Sequence, residues 1–203
     1  MKIICIGRNY RKHIEELNNN IPKEICFFLK PNTAIPLKNQ PFFIPDFSNN
    51  VQHEVELVVK INKNGKHISK EFSHKYYNEL TIGIDFTARD IQDQLKKEGK
   101  PWEKAKAFDG SAPIGSFINK NNINDSNNIN FTLLVNNQLK QKGNTRDMIF
   151  KIDEIIAYVS TFITLKSGDL IFTGTPCGVD KVHKNDVLTC HLEGQELLKI
   201  KLK

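Results

Sequence analysis

The apolar pattern of this 203-residue chain predicts a β-rich α+β fold. Short runs of β-branched and aromatic residues, bounded by turn residues, recur at 51–62, 77–86, 131–135 and 170–173. Three stretches, 10–17, 88–97 and 149–164, instead carry helical spacing. Prolines at 36, 41 and 45 confine the stretch between them to edge strands and turns. No internal repeat is evident.

In chain order, Met1-Lys2-Ile3-Ile4-Cys5-Ile6-Gly7 reads as a first strand, and Asn9 is placed to cap a helix over Tyr10–Leu17 that Asn18-Asn19-Asn20 stops. Phe27-Phe28-Leu29-Lys30 is a short strand ended by Pro31. The run 51–62 is one strand, and Asn62-Lys63-Asn64-Gly65 gives a hairpin signal after it. Tyr77–Phe86 is a second strand. A helix over Ala88–Lys97 follows, with Ile91 and Leu95 on one face, closed by Gly99-Lys100-Pro101. Asn119–Asn130 is a polar loop, and Asn136-Asn137 turns a hairpin between Phe131–Val135 and Gln138–Lys140. Ile149, Ile152, Ile155, Ile156, Val159, Phe162 and Ile163 stripe one face of a helix. Leu170–Thr173 is a buried strand, and the tail holds two more short ones.

Composition bounds the function. A hydrophobic content of 39% supports one domain, or one with a small appendage. The net charge of +6 comes from lysines spread along the chain, with no block of five basic residues and no aromatic interleaving. A basic nucleic-acid-binding β-domain, the reading from a different class, requires salt-sensitive binding indifferent to Glu54 and Glu56. The four cysteines lack CxxC or zinc spacing, and Cys5 and Cys26 sit in apolar runs as small hydrophobes. The N-terminal apolar run is too short for a signal peptide, and no run is long enough to span a bilayer. These features predict a reduced cytoplasmic protein without nucleic-acid or membrane partners.

The chemistry concentrates in His53-Glu54-Val55-Glu56-Leu57-Val58-Val59. On a strand, Glu54 and Glu56 leave the same face, where two like charges repel as they are desolvated. A hard divalent cation reverses that penalty, because it prefers oxygen ligands. Asp85 closes another apolar run, a costly place for a lone charge, and completes a candidate metal site. His53 points to the opposite face, as a structural or supporting residue. His13 and Glu16 share a helix face and read either as a general base with its orienting carboxylate or as an exposed surface pair. Lys106, among small and apolar residues, reads as a buried cation facing a substrate carboxylate or as a solvated lysine. The segment Gly168–Val179 ends a strand in Gly174-Thr175-Pro176, either a plain tight turn or one presenting N–H and hydroxyl donors to an anion. Glycine-rich dinucleotide or phosphate loops, the GxSxG elbow and HExxH are absent.

Together Gly7-Arg8-Asn9-Tyr10, His13 with Glu16, Phe28-Leu29-Lys30-Pro31, His53-Glu54-Val55-Glu56-Leu57, Asp85–Asp90, Lys106-Ala107-Phe108-Asp109 and Gly168–Pro176 resemble the fumarylacetoacetate hydrolase family, in order and over nearly the whole chain. The likeness is close to its short single-domain members of the acylpyruvase and oxaloacetate decarboxylase type. The resemblance implies a mixed β-roll with a few peripheral helices, as one catalytic domain over 1–203. Residues 1–48 would carry a short strand and a lid helix, and 49–203 the metal-binding core. It further implies a homodimer and Mg²⁺ or Mn²⁺, with Ca²⁺ as a further candidate, on Glu54, Glu56 and Asp85. The family's catalytic dyad maps to His13 and Glu16, its lysine to Lys106, its arginine to Arg8 or Arg89, its glutamine to Gln92 and its threonine to Thr175. The implied reaction is hydrolysis of a C–C bond in a 2,4-dioxo acid such as an acylpyruvate or fumarylacetoacetate. Decarboxylation of oxaloacetate and isomerisation or hydration of a dienoate stand beside it, so the partner is a small 2-oxo or 2,4-dioxo acid.

Overall fold

Ile3, Ile4, Cys5 and Ile6 are all buried, which is why the chain opens as a strand, β1 (Ile3–Gly7). The computed structural model describes residues 1–37 and 40–203. After β1, Arg8 takes left-handed backbone (φ 57), strained for a side-chain-bearing residue, and α1 (Arg11–Glu16) follows. Asn9 does not cap α1. Tyr10 holds the cap position without a side-chain bond, while Asn9 is fully buried. Its amide donates to Phe150 O (3.0 Å) and Thr173 O (2.8 Å), and its Oδ1 accepts from Phe150 N (2.8 Å). Three hydrogen bonds made by a buried side chain outweigh one exposed cap bond.

β2 (Cys26–Lys30) pairs antiparallel with β1 and ends at Pro31. The proline-rich segment forms one bridge, Phe42 with Leu202; its residues 38 and 39 lie outside the described residues. The run expected as one strand is two, β3 (Val51–His53) and β4 (Val55–Ile61), in different sheets. The break falls at Glu54, where Val55 N donates to Gln141 Oε1 and Asp85 N to Glu54 O. Asn62–Gly65 makes no tight hairpin: β4 pairs with β5 (Tyr77–Ile84), but α2 (Lys70–Ser73) lies between them. Gly65 serves close packing instead, since a Cβ there would stand 2.4 Å from the Tyr76 ring.

β6 (Thr87–Ala88) leads into α3 (Arg89–Lys97), whose buried residues are Arg89, Gln92 and Leu95, whereas Ile91 is only half-buried. A polar stripe turned inward is what a helix serving a site requires. α4 (Glu103–Lys106) and β7 (Ile118–Asn119) follow. β8 (Asn130–Val135) and β9 (Gln138–Asn144) form the expected hairpin, with Asn136 and Asn137 both at positive φ. α5 (Ile152–Phe162) buries Ile152, Ile155, Ile156 and Val159. β10 (Leu170–Phe172), β11 (Asp180–Lys181), β12 (Val187–Leu192) and β13 (Gln195–Lys201) complete the chain.

The strands form three sheets, ordered β2-β1-β10-β4-β5-β7, β11-β3-β6 and β13-β12-β8-β9. One apolar core joins them, with Leu57 and Ile82 of the first, Leu133 and Leu188 of the last, and Ile155 of α5. Registers place the end of β1, the turn after β10, the start of β4 and the end of β5 side by side, so their terminal residues converge. No helix among the described residues is long and apolar enough to cross a membrane.

Candidate active site

Glu56 from β4, Glu54 at the break before it and Asp85 after β5 meet at this convergence. All three are buried, and each offers an oxygen within 4.8 Å of the others. Cations surround two of them. Arg89 pairs with Glu54 Oε1. Lys106 Nζ donates to Glu54 Oε2 (2.7 Å), Asp85 Oδ2 (2.8 Å) and Thr87 Oγ1 (2.6 Å). Lys30 Nζ stands 2.7 Å from Asp85 Oδ1 and donates to Ser111 O at 2.9 Å and Ser111 Oγ at 3.0 Å. The solvated alternative for Lys106 therefore falls. Burial opposes the charge of Lys106, but Asp85 and Glu54 outweigh it and hold the ammonium above its ordinary pKa. Burial likewise opposes the charge of Glu54, while Lys106 and Arg89 hold it well below the usual carboxylate range.

Glu56 stands apart. It receives one hydrogen bond, from Gly174 N at 2.6 Å, and no cation among the described residues. Burial, then the charges of Asp85 and Glu54, raise its pKa well above the ordinary value. Asp85 Oδ1 is buried and lacks a hydrogen-bond donor, since Lys30 approaches outside hydrogen-bond geometry. A buried, oxygen-only set with one uncompensated carboxylate fits a hard divalent cation.

His13 on α1 faces this cluster, its Nδ1 3.1 Å from Glu16 Oε2, while Glu16 Oε1 accepts from Gly178 N at 2.9 Å. A carboxylate at Nδ1 favours the tautomer with its proton there, leaving Nε2 as the lone-pair nitrogen. Burial lowers the imidazole's pKa against the opposing pull of Glu54 and Glu16, so at neutral pH it is an unprotonated base. The exposed-pair alternative fails because His13 is buried.

The turn after β10 is clamped from several sides. Gly174, at φ 99, is packed so closely that a Cβ would lie 2.7 Å from Asn9 Cβ. Thr175 donates its hydroxyl proton to Val55 O (2.9 Å) and accepts from Gln141 Nε2 (2.9 Å). The hydroxyl therefore offers an incoming anion no proton, contrary to the donor expected there. The two candidate arginines differ in how they are engaged. Arg89 is spent on Gln52, Gln92 and Glu54, whereas Arg8 has no side-chain hydrogen bond or ion pair among the described residues. Among the described residues Gln92 bonds only through its Oε1, accepting from Arg89 at 2.6 Å, which leaves its amide protons without a partner there.

A cavity of about 40 Å³ brings together every predicted site residue except Glu16, which stands behind His13. Its volume holds a few waters. Two residues given no role from sequence support these side chains from outside the cavity. Lys30 had a faint signal, a cation ending an apolar strand. Gln141 had none: it lies on a polar strand, yet is buried and bonds His53 Nδ1 (2.9 Å), Val55 N, Thr175 and Pro176 O. His53 holds Gln141 rather than the cluster.

The family model for the C-terminal domain of fumarylacetoacetate (FAA) hydrolase matches residues 2–202. An oxaloacetate tautomerase of Escherichia coli is 43% identical over 197 residues, covering 97% of this chain and 90% of that protein. A mitochondrial oxaloacetate decarboxylase of Dictyostelium discoideum is 43% identical over 194 residues, covering 95% and 89%. The crystal structure of fumarylpyruvate hydrolase from Pseudomonas aeruginosa, in complex with Mn²⁺ and pyruvate, superposes with a TM-score of 0.93 at 31% identity, covering 100% of this chain and 89% of that one.

Proposed function

The chain belongs to the fumarylacetoacetate hydrolase family, and from that premise we propose that it is a divalent-metal-dependent enzyme that moves a proton beside the keto group of oxaloacetate. The observation that carries the reading is a buried, carboxylate-oriented histidine facing a buried carboxylate cluster across one small cavity. Mg²⁺ or Mn²⁺ held by Glu54, Glu56 and Asp85 would supply a Lewis acid that draws charge onto the 2-keto oxygen. The protein's own charges support a dianionic substrate. Arg89, Lys106 and Lys30 equal the three carboxylates in number but contact only Glu54 and Asp85, so a dication beside Glu56 would leave the site with surplus positive charge, the complement of a dicarboxylate.

His13 Nε2 takes the proton from the carbon beside the keto group, and Glu16 stabilises the resulting imidazolium. Lys106 stays an ammonium and acts through charge, since its raised pKa removes it as a base or amine nucleophile. Gln92 and Arg8 supply the free donors for the substrate's oxygens, and α1 covers them. Decarboxylation of oxaloacetate belongs to the same reading: it leaves the electron pair on the same carbon and needs no base.

A second reading, C–C hydrolysis of a 2,4-dioxo acid, is favoured by the 3.1 Å His13–Glu16 contact, which suits the pair to activate water. The homodimer is a proposal as well. It is supported by a groove of about 990 Å³ that includes Ile35, Leu37, Ile114 and Leu197, and sedimentation should give twice the chain mass.

The test is a panel of oxaloacetate and acetylpyruvate with Mn²⁺ or with chelator, on wild type, Glu56→Gln and His13→Ala. The expected result is metal-dependent tautomerisation lost in both variants, with decarboxylation surviving in His13→Ala. Full activity under chelator, or in Glu56→Gln, overturns the reading. Turnover of acetylpyruvate alone replaces it with hydrolysis.

A further inference from the structure

One face of α3 carries Arg89, Gln92 and Lys96, spaced three and four apart, so their side chains line up along the helix. All three line the cavity. The stripe begins at the carboxylate cluster, where Arg89 is bound to Glu54, and Gln92 is tied to Arg89. Lys96 stands one turn beyond, about 10 Å of helix from Arg89 at 1.5 Å per residue. Its side chain is only 25% exposed and lies over the Trp102 ring, 6.0 Å from the centroid. Its one carboxylate neighbour among the described residues is Asp93 at 3.7 Å, itself largely in water.

Lys96 is therefore a half-buried cation in cationic company. Burial lowers its pKa, and the charges of Arg89 and Arg8 press the same way against the opposing pull of Asp93 and Glu54. Arg8 lines the same cavity, carries no side-chain partner among the described residues and sits on left-handed backbone. Lys96 and Arg8 line the cavity without an ion pair to its buried carboxylates among the described residues, and Glu54 and Asp85 are already paired with Arg89, Lys106 and Lys30, so these two cations leave room for one more negative charge. The inner end already provides for a 2-oxo acid head.

We propose that Lys96 sets specificity: with Arg8 beside it, it binds the distal carboxylate of a 2-oxo dicarboxylate and so selects such substrates over 2-oxo acids with neutral tails. The proposal rests on the 2-oxo acid reading of the inner site. It adds a second anion subsite, a few carbons from the first, on a residue outside the predicted set.

Two inert ligands separate the subsites. Oxamate carries the head alone, and N-oxalylglycine carries the same head plus a carboxymethyl tail. Calorimetry on the Mn²⁺-loaded enzyme should show wild type binding N-oxalylglycine more tightly than oxamate, by an advantage that shrinks with added salt. Lys96→Met should remove roughly 10-fold to 100-fold of affinity for N-oxalylglycine, the range of one charge-assisted hydrogen bond. It should leave oxamate within about twofold, the change expected when no contact is lost. Lys96→Arg should restore most of the difference. In turnover, Lys96→Met should raise KM for oxaloacetate and not for acetylpyruvate. Equal weakening of both ligands, or no change in either, overturns the proposal. Wild type that binds neither overturns the reading of the inner site and the proposal with it.

Discussion

The two walls of the cavity are held in opposite ways. On one side Glu54 and Asp85 are locked by Arg89, Lys106 and Lys30, every member buried. On the other, α1 is six residues long, has no side-chain cap, and reaches the rest of the protein through one side-chain hydrogen bond among the described residues, Gly178 N to Glu16. The ionic wall sets a fixed geometry, because any displacement strands a buried charge. The helical wall rests on the buried side chains of His13 and Ile14 and on that one bond, so it is held by packing rather than by ion pairs. In the proposed mechanism, buried charge is therefore concentrated on one side of the cavity and the base on the other.

The largest expected effect comes from breaking the ionic wall. Glu54→Gln leaves Arg89 and Lys106 facing a neutral amide and should lower unfolding free energy by about 3–5 kcal/mol, read from urea denaturation. Glu56→Gln removes a carboxylate with no cation partner and keeps an acceptor for Gly174 N, so its stability should stay within about 1 kcal/mol of wild type. Both should lose Mn²⁺ binding by calorimetry. Equal destabilisation by the two would show that the carboxylates share one network rather than two roles. On the helical wall, His13→Ala should lower kcat for tautomerisation by roughly 10²–10⁴. Its change in stability should be near the ~1 kcal/mol centre of point-mutation effects.

pH sharpens the contrast. The base form of His13 is the neutral one, and burial holds its pKa below the ordinary 6.5. At saturating Mn²⁺, kcat/KM should therefore be flat through neutral pH and fall only as acid crosses that lowered pKa. The fall should vanish from whatever residual activity His13→Ala retains. Metal affinity should show a separate acid dependence, because Glu56 must release its proton to become a ligand. A single inflection shared by kcat/KM and metal affinity, and unmoved in His13→Ala, would assign the titration to the cluster instead.

How much of this was legible in the sequence follows from how far apart the interacting groups lie. Glu54 and Glu56 could be read from i,i+2 spacing, and Asp85 from its place at the end of an apolar run, because each signal is local. The hairpin at Asn136-Asn137 and the stripe of α5 were legible for the same reason. The break at Glu54, the buried Lys30 and the clamp at Asn9 were not. Lys30 meets Ser111, Asn9 meets Phe150 and Thr173, and Val55 N finds Gln141, all partners far along the chain. Ile91 and Leu95 were expected to share a face of α3, and Leu95 is buried while Ile91 is only half-buried; the other buried positions are the polar Arg89 and Gln92, which a pattern that tracks only apolar residues does not select. At a site, burial follows charge pairing as much as hydrophobicity.

The two walls are not independent, because the turn after β10 touches both: Gly174 N donates to Glu56 and Gly178 N to Glu16. Gln141 fixes the middle of that turn, with Nε2 bonded to Thr175 Oγ1 and to Pro176 O. Gln141→Met keeps the volume and removes the bonds, leaving Val55 N and Pro176 O buried without those partners, at a cost of about 1–3 kcal/mol. The loss in unfolding free energy should thus fall below that of Glu54→Gln. The kinetic consequence separates two kinds of coupling. If the turn only supports the ionic wall, Gln141→Met should weaken Mn²⁺ binding and leave the pH dependence of kcat/KM in place. If it also sets Glu16, the acid inflection should move toward the ordinary histidine value, because the dyad and its burial loosen together. The second outcome is expected, since Gly178 lies two residues beyond Pro176 on the same clamped segment. An unmoved inflection alongside weakened metal binding would confine the turn to the carboxylate side.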